Sequence, residues 1–240
     1  MKITKRFKNK ADLIAKYNEM YRSRSDKLQD VRALYRWILD ILAPAPGALL
    51  LDVGCGSGAL IQEATKRGLF ACGIDISWEA LNLARKTNQG RVLICEGETL
   101  PFPDETFDYV TNIGSLEHFL DPLKGVHEIR RVLKGSGRAA ILLPNSYYIV
   151  DIIWHVWRTG YGPDHKQPLE RFATCGEWRD LLMQGGLIIE KCLKYNFIIP
   201  SKTDDLLHYI KNYRKLLLAI IAPFIPFNLS YSFLFICKKA

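Results

Sequence analysis

Apolar residues in this chain gather into short runs of strand length, at 48–53, 70–75, 91–95, 107–113 and 138–143. Helical segments near 58–67, 77–87 and 121–133 intervene. Strands alternating with helices predict a parallel sheet with helices on both faces, and ligands then bind outside the carboxyl ends of the strands. Ahead of this pattern, residues 10–42 read as two helices. The first carries Tyr17 and Tyr21 one turn apart. The second repeats Val31, Leu34, Tyr35, Ile38, Leu39 and Leu42 near the 3.6 period and stops at Ala43-Pro-Ala-Pro-Gly47. After residue 143 the pattern loosens. Residues 144–173 are rich in aromatics, prolines and glycines and are expected to form a cap or lid. A helix near 174–184, a strand at 187–195, an amphipathic helix at 203–222 and a last strand at 230–238 follow.

The run Leu49-Leu-Leu-Asp-Val-Gly-Cys-Gly-Ser-Gly58 carries the strongest chemical signal. A buried strand ends in an acid, and three glycines at alternate positions then lead into a helix. Glycine permits positive φ and close approach of a ligand to the backbone. The helix beyond presents unpaired N–H groups and the positive end of its dipole. Asp75 ends the next strand, about 20 residues on, where a ribose-binding carboxylate is expected. Residues 54–59 also satisfy the dinucleotide pattern G-x-G-x-x-A, so the loop alone leaves the nucleoside ligand open.

Composition adds bounds. With 240 residues and 48% hydrophobic content, the chain suits one α/β domain with decorations. Its net charge of +8 suits phosphates, nucleic acid or an anionic membrane, and equally a merely basic enzyme. Six cysteines lack metal-ligand or C-x-x-C spacing, and several, such as Cys72, Cys95, Cys192 and Cys237, fall in apolar strands. Reduced thiols in a cytoplasmic protein account for them. The basic N-terminus is not followed by an apolar stretch, so no secretory signal is expected.

Five motifs occur in order: Asp52-Val-Gly-Cys-Gly-Ser-Gly58, Gly73-Ile-Asp-Ile-Ser77, Leu100-Pro-Phe-Pro-Asp-Glu-Thr-Phe-Asp108, Leu116-Glu-His118 and Glu128-Ile-Arg-Arg-Val-Leu-Lys-Gly-Ser-Gly137. Together they resemble the class I S-adenosylmethionine-dependent methyltransferases of small-molecule type, closely over residues 48–145. One departure is Lys134-Gly-Ser-Gly137, where the family usually has Pro-Gly-Gly. The resemblance implies a doubly wound, mostly parallel seven-stranded α/β sheet with an antiparallel last strand. It implies N-terminal helices (1–43) over the cofactor site, a cofactor-binding core (44–145) and an acceptor region (146–240). S-adenosyl-L-methionine is the implied cofactor, with no metal. Asp75 would hold the ribose diol, and Gly54, Gly56 and Gly58 would line the adenosyl and methionine path. Asp52 would lie near the methionine ammonium. Glu96 and Gly97 would meet adenine, Ile76 would line the site, and Asn112 and Ile113 would sit beside the sulfonium. Tyr17 resembles a tyrosine that reaches the donor carboxylate, although core packing serves it equally.

Methyl transfer to a hydroxyl needs a base, and His118 is the candidate; a structural turn is its alternative. His155 and His165 are secondary candidates. Tyr147, Tyr148, Trp154, Trp157 and Tyr161 would line an apolar or sugar-stacking acceptor pocket or simply pack. Lys166 and Arg171 could meet an anionic acceptor. The basic amphipathic stretch 203–227 suits either an anionic membrane surface or a cover over the pocket. The leading expectation is O-methylation of a small molecule, such as a glycan precursor or lipid-linked acceptor. The alternatives are an RNA methyltransferase, an NAD-dependent oxidoreductase and a non-catalytic binding protein.

Overall fold

A computed structural model describes residues 1–24, 32–88, 91–196, 218 and 220–240. In chain order its elements are β1 (Lys2–Lys5), α1 (Lys10–Arg24), α2 (Arg32–Leu42), β2 (Leu49–Val53), α3 (Ala59–Lys66), β3 (Phe70–Asp75), α4 (Trp78–Asn88) and β4 (Val92–Ile94). There follow β5 (Phe107–Ile113), α5 (Pro122–Val132), β6 (Leu133–Pro144), α6 (Trp154–Thr159), β7 (Leu169–Phe172), α7 (Cys175–Gln184), β8 (Leu187–Tyr195) and β9 (Ser232–Lys239).

Seven strands form the main sheet in the order β4-β3-β2-β5-β6-β9-β8. β2 to β6 pair in parallel, while β9 runs antiparallel to both β6 and β8. The strand order reverses between β2 and β5, which opens a crevice at their carboxyl ends.

Alternation along each strand divides the core. Leu51, Val53, Val110, Ile141, Phe233 and Phe235 face α5 and α7, where Val126, Ile129 and the buried Trp178 meet them. Leu50, with Leu60, Ile61 and Leu81 of α3 and α4, packs on the opposite face beside Leu39 of α2. Ile38 and Leu42 of α2 cover Leu142, Leu234 and Ile236. Helix ends follow local chemistry. Asp121 caps α5 ahead of Pro122, and Thr174 and Glu177 form a reciprocal capping box on α7.

Two features go beyond the expected pattern. β1 pairs antiparallel with β7 as a separate ribbon, and Arg6, just past β1, reaches Glu170 at 2.9 Å. β6 also begins before the expected residue 138. Leu133 pairs with Phe107, the register then jumps, and Arg138 pairs with Tyr109, so 134–137 bulge out of the ladder. A Cβ at Gly137 would lie 2.8 Å from the Asp108 carbonyl.

The helix expected over 203–222 lies outside the described residues apart from 218 and 220–222. All six cysteines are free thiols, and burial pushes Cys72 up to about 11 and Cys237 up to about 12. No described helix is long and apolar enough to cross a membrane.

Candidate active site

The chain leaves β2 through Gly54, Gly56 and Gly58 at φ of 78°, 52° and 79°. Gly54 and Cys55 donate their N–H groups to the Ile74 carbonyl, both at 2.8 Å. Asp75 Oδ2 accepts from the Gly56 N–H at 2.9 Å and Oδ1 from the Ser77 N–H at 2.8 Å. One carboxylate at the end of β3 thus suspends the glycine loop and orders the start of α4. Its burial raises the pKa, against these backbone donors. A Cβ at Gly54 would meet Ser115 Oγ at 2.4 Å, and one at Gly56 would meet Tyr21 Oη at 2.9 Å. Any side chain there would fill the cradle.

Between this loop and α1 lies a cavity of about 300 Å³. Of the residues expected at a cofactor site, it brings together Tyr17, Gly54, Gly56, Asp75, Ile76, Glu96, Gly97 and Ile113. Glu96 is paired with Lys10 of α1 at 2.5 Å. Burial raises the pKa of the Tyr17 hydroxyl, which lacks a well-formed hydrogen bond. The Leu169 backbone opposes that shift in part.

Asp52, Gly58 and Asn112, also expected at the site, do not line the cavity. Asp52 is buried within the sheet and accepts from Thr111 Oγ1 at 2.7 Å. Burial pushes its carboxyl up to about 7. Asn112 is committed on both sides: Nδ2 donates to the Val53 carbonyl and Oδ1 accepts from the Leu116 N–H. Gly58 supplies the left-handed residue before α3.

A second cavity of about 160 Å³ lies beside the first, under the π-type turn Ile149–Ile153 and β7. His118 and Gln167 line both cavities. His118 ends a 3-10 turn just beyond β5, and its Nδ1 faces the Leu169 carbonyl at 2.5 Å. A carbonyl only accepts, so Nδ1 carries the proton and Nε2 presents a lone pair. Glu117 Oε1 lies 3.9 Å from Nε2.

The lid residues sort differently from the expectation. Arg171 is buried and donates Nη1 to the Glu117 and Phe119 carbonyls at 3.0 and 2.8 Å. Nη2 faces the Leu120 carbonyl at 3.5 Å. Its donors therefore brace the His118 turn, although they were expected to meet an anion. Lys166 is exposed and lines neither cavity. His165 lines the second cavity and His155 neither. Among the lid aromatics only Tyr148 turns inward, while Trp157 and Tyr161 are 74% and 77% exposed.

Among the described residues, five buried side-chain polar atoms lack a hydrogen-bond partner: Tyr17 Oη, Glu117 Oε2, Tyr148 Oη, His165 Nδ1 and Gln167 Oε1. All five belong to residues lining one or both cavities. Buried polar groups are normally satisfied, so this concentration marks where partners from outside the protein, water or a ligand, are accommodated. Glu117 and Gln167 were missed from the sequence. The acid within Leu116-Glu-His118, just past β5, was the available signal for Glu117; Gln167 had none.

The first cavity fits S-adenosylmethionine. Its glycine cradle admits close backbone contact, and Asp75 and Glu96 bring two carboxylates to its wall, suited to a molecule rich in hydrogen-bond donors. Comparison with known proteins agrees. Residues 51–141 match a family model described as a methyltransferase domain. A ubiquinone biosynthesis O-methyltransferase of Alkalilimnicola ehrlichii is 33% identical over 204 residues, 76% of this chain and 81% of that protein. A demethylmenaquinone methyltransferase of Corynebacterium kroppenstedtii is 37% identical over 42% of this chain and 43% of its own length. With several curated relatives the match is similarly partial, spanning 56% or 65% of their length. The solved 1,6-didemethyltoxoflavin N1-methyltransferase of Burkholderia thailandensis, with bound S-adenosylhomocysteine, shares the fold. Its TM-score is 0.63 at 18% identity, over 95% of this chain and 87% of that one. These matches set aside the oxidoreductase alternative. With its glycine loop, strand order and an extended relative in agreement, this chain belongs to the class I S-adenosylmethionine-dependent methyltransferases.

Proposed function

We propose that the chain methylates a hydroxyl oxygen of a small molecule held in the second cavity, with His118 as general base. The observation that carries this reading is the placement of His118 in the wall common to both cavities, with Nε2 free to take a proton. The ubiquinone and menaquinone methyltransferase relatives favour a quinone-precursor-like acceptor over a glycan.

When bound, S-adenosylmethionine supplies a methyl group on a sulfonium that departs as a neutral thioether. The chain's own part is to hold, orient, exclude water and move one proton. Asp75 would hold the ribose hydroxyls, Glu96 and Gly97 the adenine, and Tyr17 the amino-acid end. Ile76 and Ile113 form apolar walls around the loop of Gly54 and Gly56. Asp52, Gly58 and Asn112 act one step removed, by holding that loop and the His118 turn. The test is methyl transfer to a panel of hydroxylated ring compounds, with S-adenosylhomocysteine binding measured in parallel. His118→Ala should lower kcat by about 10²–10⁴-fold, with product affinity held within about twofold. Full activity in that variant, or transfer to bulk tRNA in preference to the panel, overturns the reading.

A membrane contact forms a second reading, carried by α6. Trp154 and Trp157 stack at 5.0 Å and lie exposed beside Arg158 on a chain of net charge +8. The stretch 203–227, expected to make this contact, lies mostly outside the described residues. Aromatic and basic side chains together suit an anionic bilayer surface. Sedimentation with phosphatidylserine vesicles at low salt should pull the protein down. Loss of that binding in Trp154→Ala/Trp157→Ala supports the assignment; equal binding to neutral vesicles removes it.

A further inference from the structure

The second cavity has walls of an unusual kind. Four of the five unpartnered buried polar atoms lie in its lining residues: Glu117 Oε2, Tyr148 Oη, His165 Nδ1 and Gln167 Oε1. Glu117 and Tyr148 are 6% and 4% exposed. The unmet capacity is mainly for accepting hydrogen bonds. His165 Nε2 faces the Asp151 carboxylate at 3.1 Å, so in the neutral ring Nδ1 is a lone pair. Glu117 and Gln167 offer oxygens, and the Tyr148 hydroxyl serves either way.

The charge balance points the same way. Glu117, Asp151 and Glu170 line the cavity. Glu170 is paired with Arg6 and Asp151 with His165. The buried Arg171 directs its donors at the carbonyls of 117, 119 and 120. Among the described residues, Arg171 is the one arginine or lysine in the lining, and it attracts the Glu117 carboxylate through space while its donors are spent on carbonyls; His118 Nε2 lies 3.9 Å from Glu117 Oε1. Size sets the remaining limit: 160 Å³ is close to the ~150 Å³ of a cavity that accepts a single benzene ring.

We infer that the second cavity takes an uncharged molecule of single-ring size carrying at least two neighbouring hydrogen-bond donors, selected by Glu117. This rests on the acceptor reading above and narrows it. One donor is the hydroxyl whose proton passes to His118 Nε2. The other donates to Glu117 Oε2, on the adjacent residue of the same turn. A ligand bearing a carboxylate or phosphate in that place meets Glu117 as a like charge, and a ligand with one donor leaves a buried oxygen unmet. Glu117 is thus a specificity residue of this site, and Tyr148 and His165 are its supporting contacts.

Burial raises the Glu117 carboxyl, so calorimetry on the complex with S-adenosylhomocysteine is run on the alkaline side, at about pH 8, with three probes of one ring each: 1,2-dihydroxybenzene, phenol and 2-hydroxybenzoate. The dihydroxy ring should bind at least about tenfold tighter than either of the others. Glu117→Gln should shrink its advantage over 2-hydroxybenzoate by about tenfold, since the charge goes and the shape stays. Tyr148→Phe, which removes an unpartnered hydroxyl and nothing that holds the fold, should weaken the dihydroxy ring by about two- to fivefold. Equal or tighter binding of 2-hydroxybenzoate or phenol to the wild type overturns the inference, as does an unchanged preference in Glu117→Gln. Bound S-adenosylhomocysteine with no ring bound also overturns it and leaves the methyltransferase reading standing. Failure to bind S-adenosylhomocysteine defeats the donor-site reading instead.

Discussion

Asp52 shows how a residue beside a site can govern it without entering it. It was legible as the acid closing the first strand, and the structure turns it into the sheet against Thr111. With a folded pKa of about 7 against roughly 3.9 in an unfolded chain, the folded state holds a proton that the unfolded state releases. This contribution to stability is full below about pH 4. It falls as pH rises through the interval, by at most about 1.4 kcal/mol per pH unit, and is gone above about pH 7. Asp52→Asn should therefore flatten the decline of Tm between about pH 5 and pH 8. An unchanged slope in thermal denaturation would remove Asp52 as its source. Glu117 and Asp75 are also raised by burial, so some decline should persist in the variant.

Among the elements, the ribbon of β1 and β7 is the part that holds the chemistry in place from outside the main sheet. β7 carries Leu169, whose carbonyl sets the His118 tautomer, and Arg171, which gathers three carbonyls of the same turn. Arg6 fastens β7 from the other strand through Glu170, Asp164 and the Gln167 carbonyl. Arg6 is partly exposed, so Arg6→Ala should cost only about 1 kcal/mol in denaturant unfolding while raising the acceptor KM several-fold. Arg171→Met strips buried carbonyls of their donor and should cost about 2–4 kcal/mol. In both variants S-adenosylhomocysteine affinity should change less than acceptor KM. Equal losses at both sites would mean that the ribbon supports the whole fold and not the His118 turn in particular.

Across the whole molecule, the main sheet was readable because each strand and helix announces itself locally. Leu49–Val53 is apolar and ends in glycines, and α2 repeats its apolar face until two prolines stop it. The β1–β7 ribbon was not readable. Lys2–Lys5 is short, polar and paired with a partner more than 160 residues away, and pairing at that distance leaves no local period. Gly54, Gly56, Asp75 and Glu96, which stand at or just past strand ends, were singled out in the sequence and do line the first cavity. Asp52 and Asn112 stand outside the cavity for one reason: a residue's position at a strand end does not say which face its side chain takes, or whether a neighbouring strand already engages it. The second cavity was barely visible, because its walls come from four separated stretches whose convergence is a property of the tertiary fold.

The two cavities draw on different lengths of chain. Apart from α1 and Gln167, the first is walled by residues 35–120; the second takes only Glu117 and His118 from that stretch and the rest from 144 onward. Mutation can thus rework one set of walls while the other stays fixed. The methyltransferase domain model that matches this chain ends at residue 141, just short of Pro144, the first late residue of the second cavity.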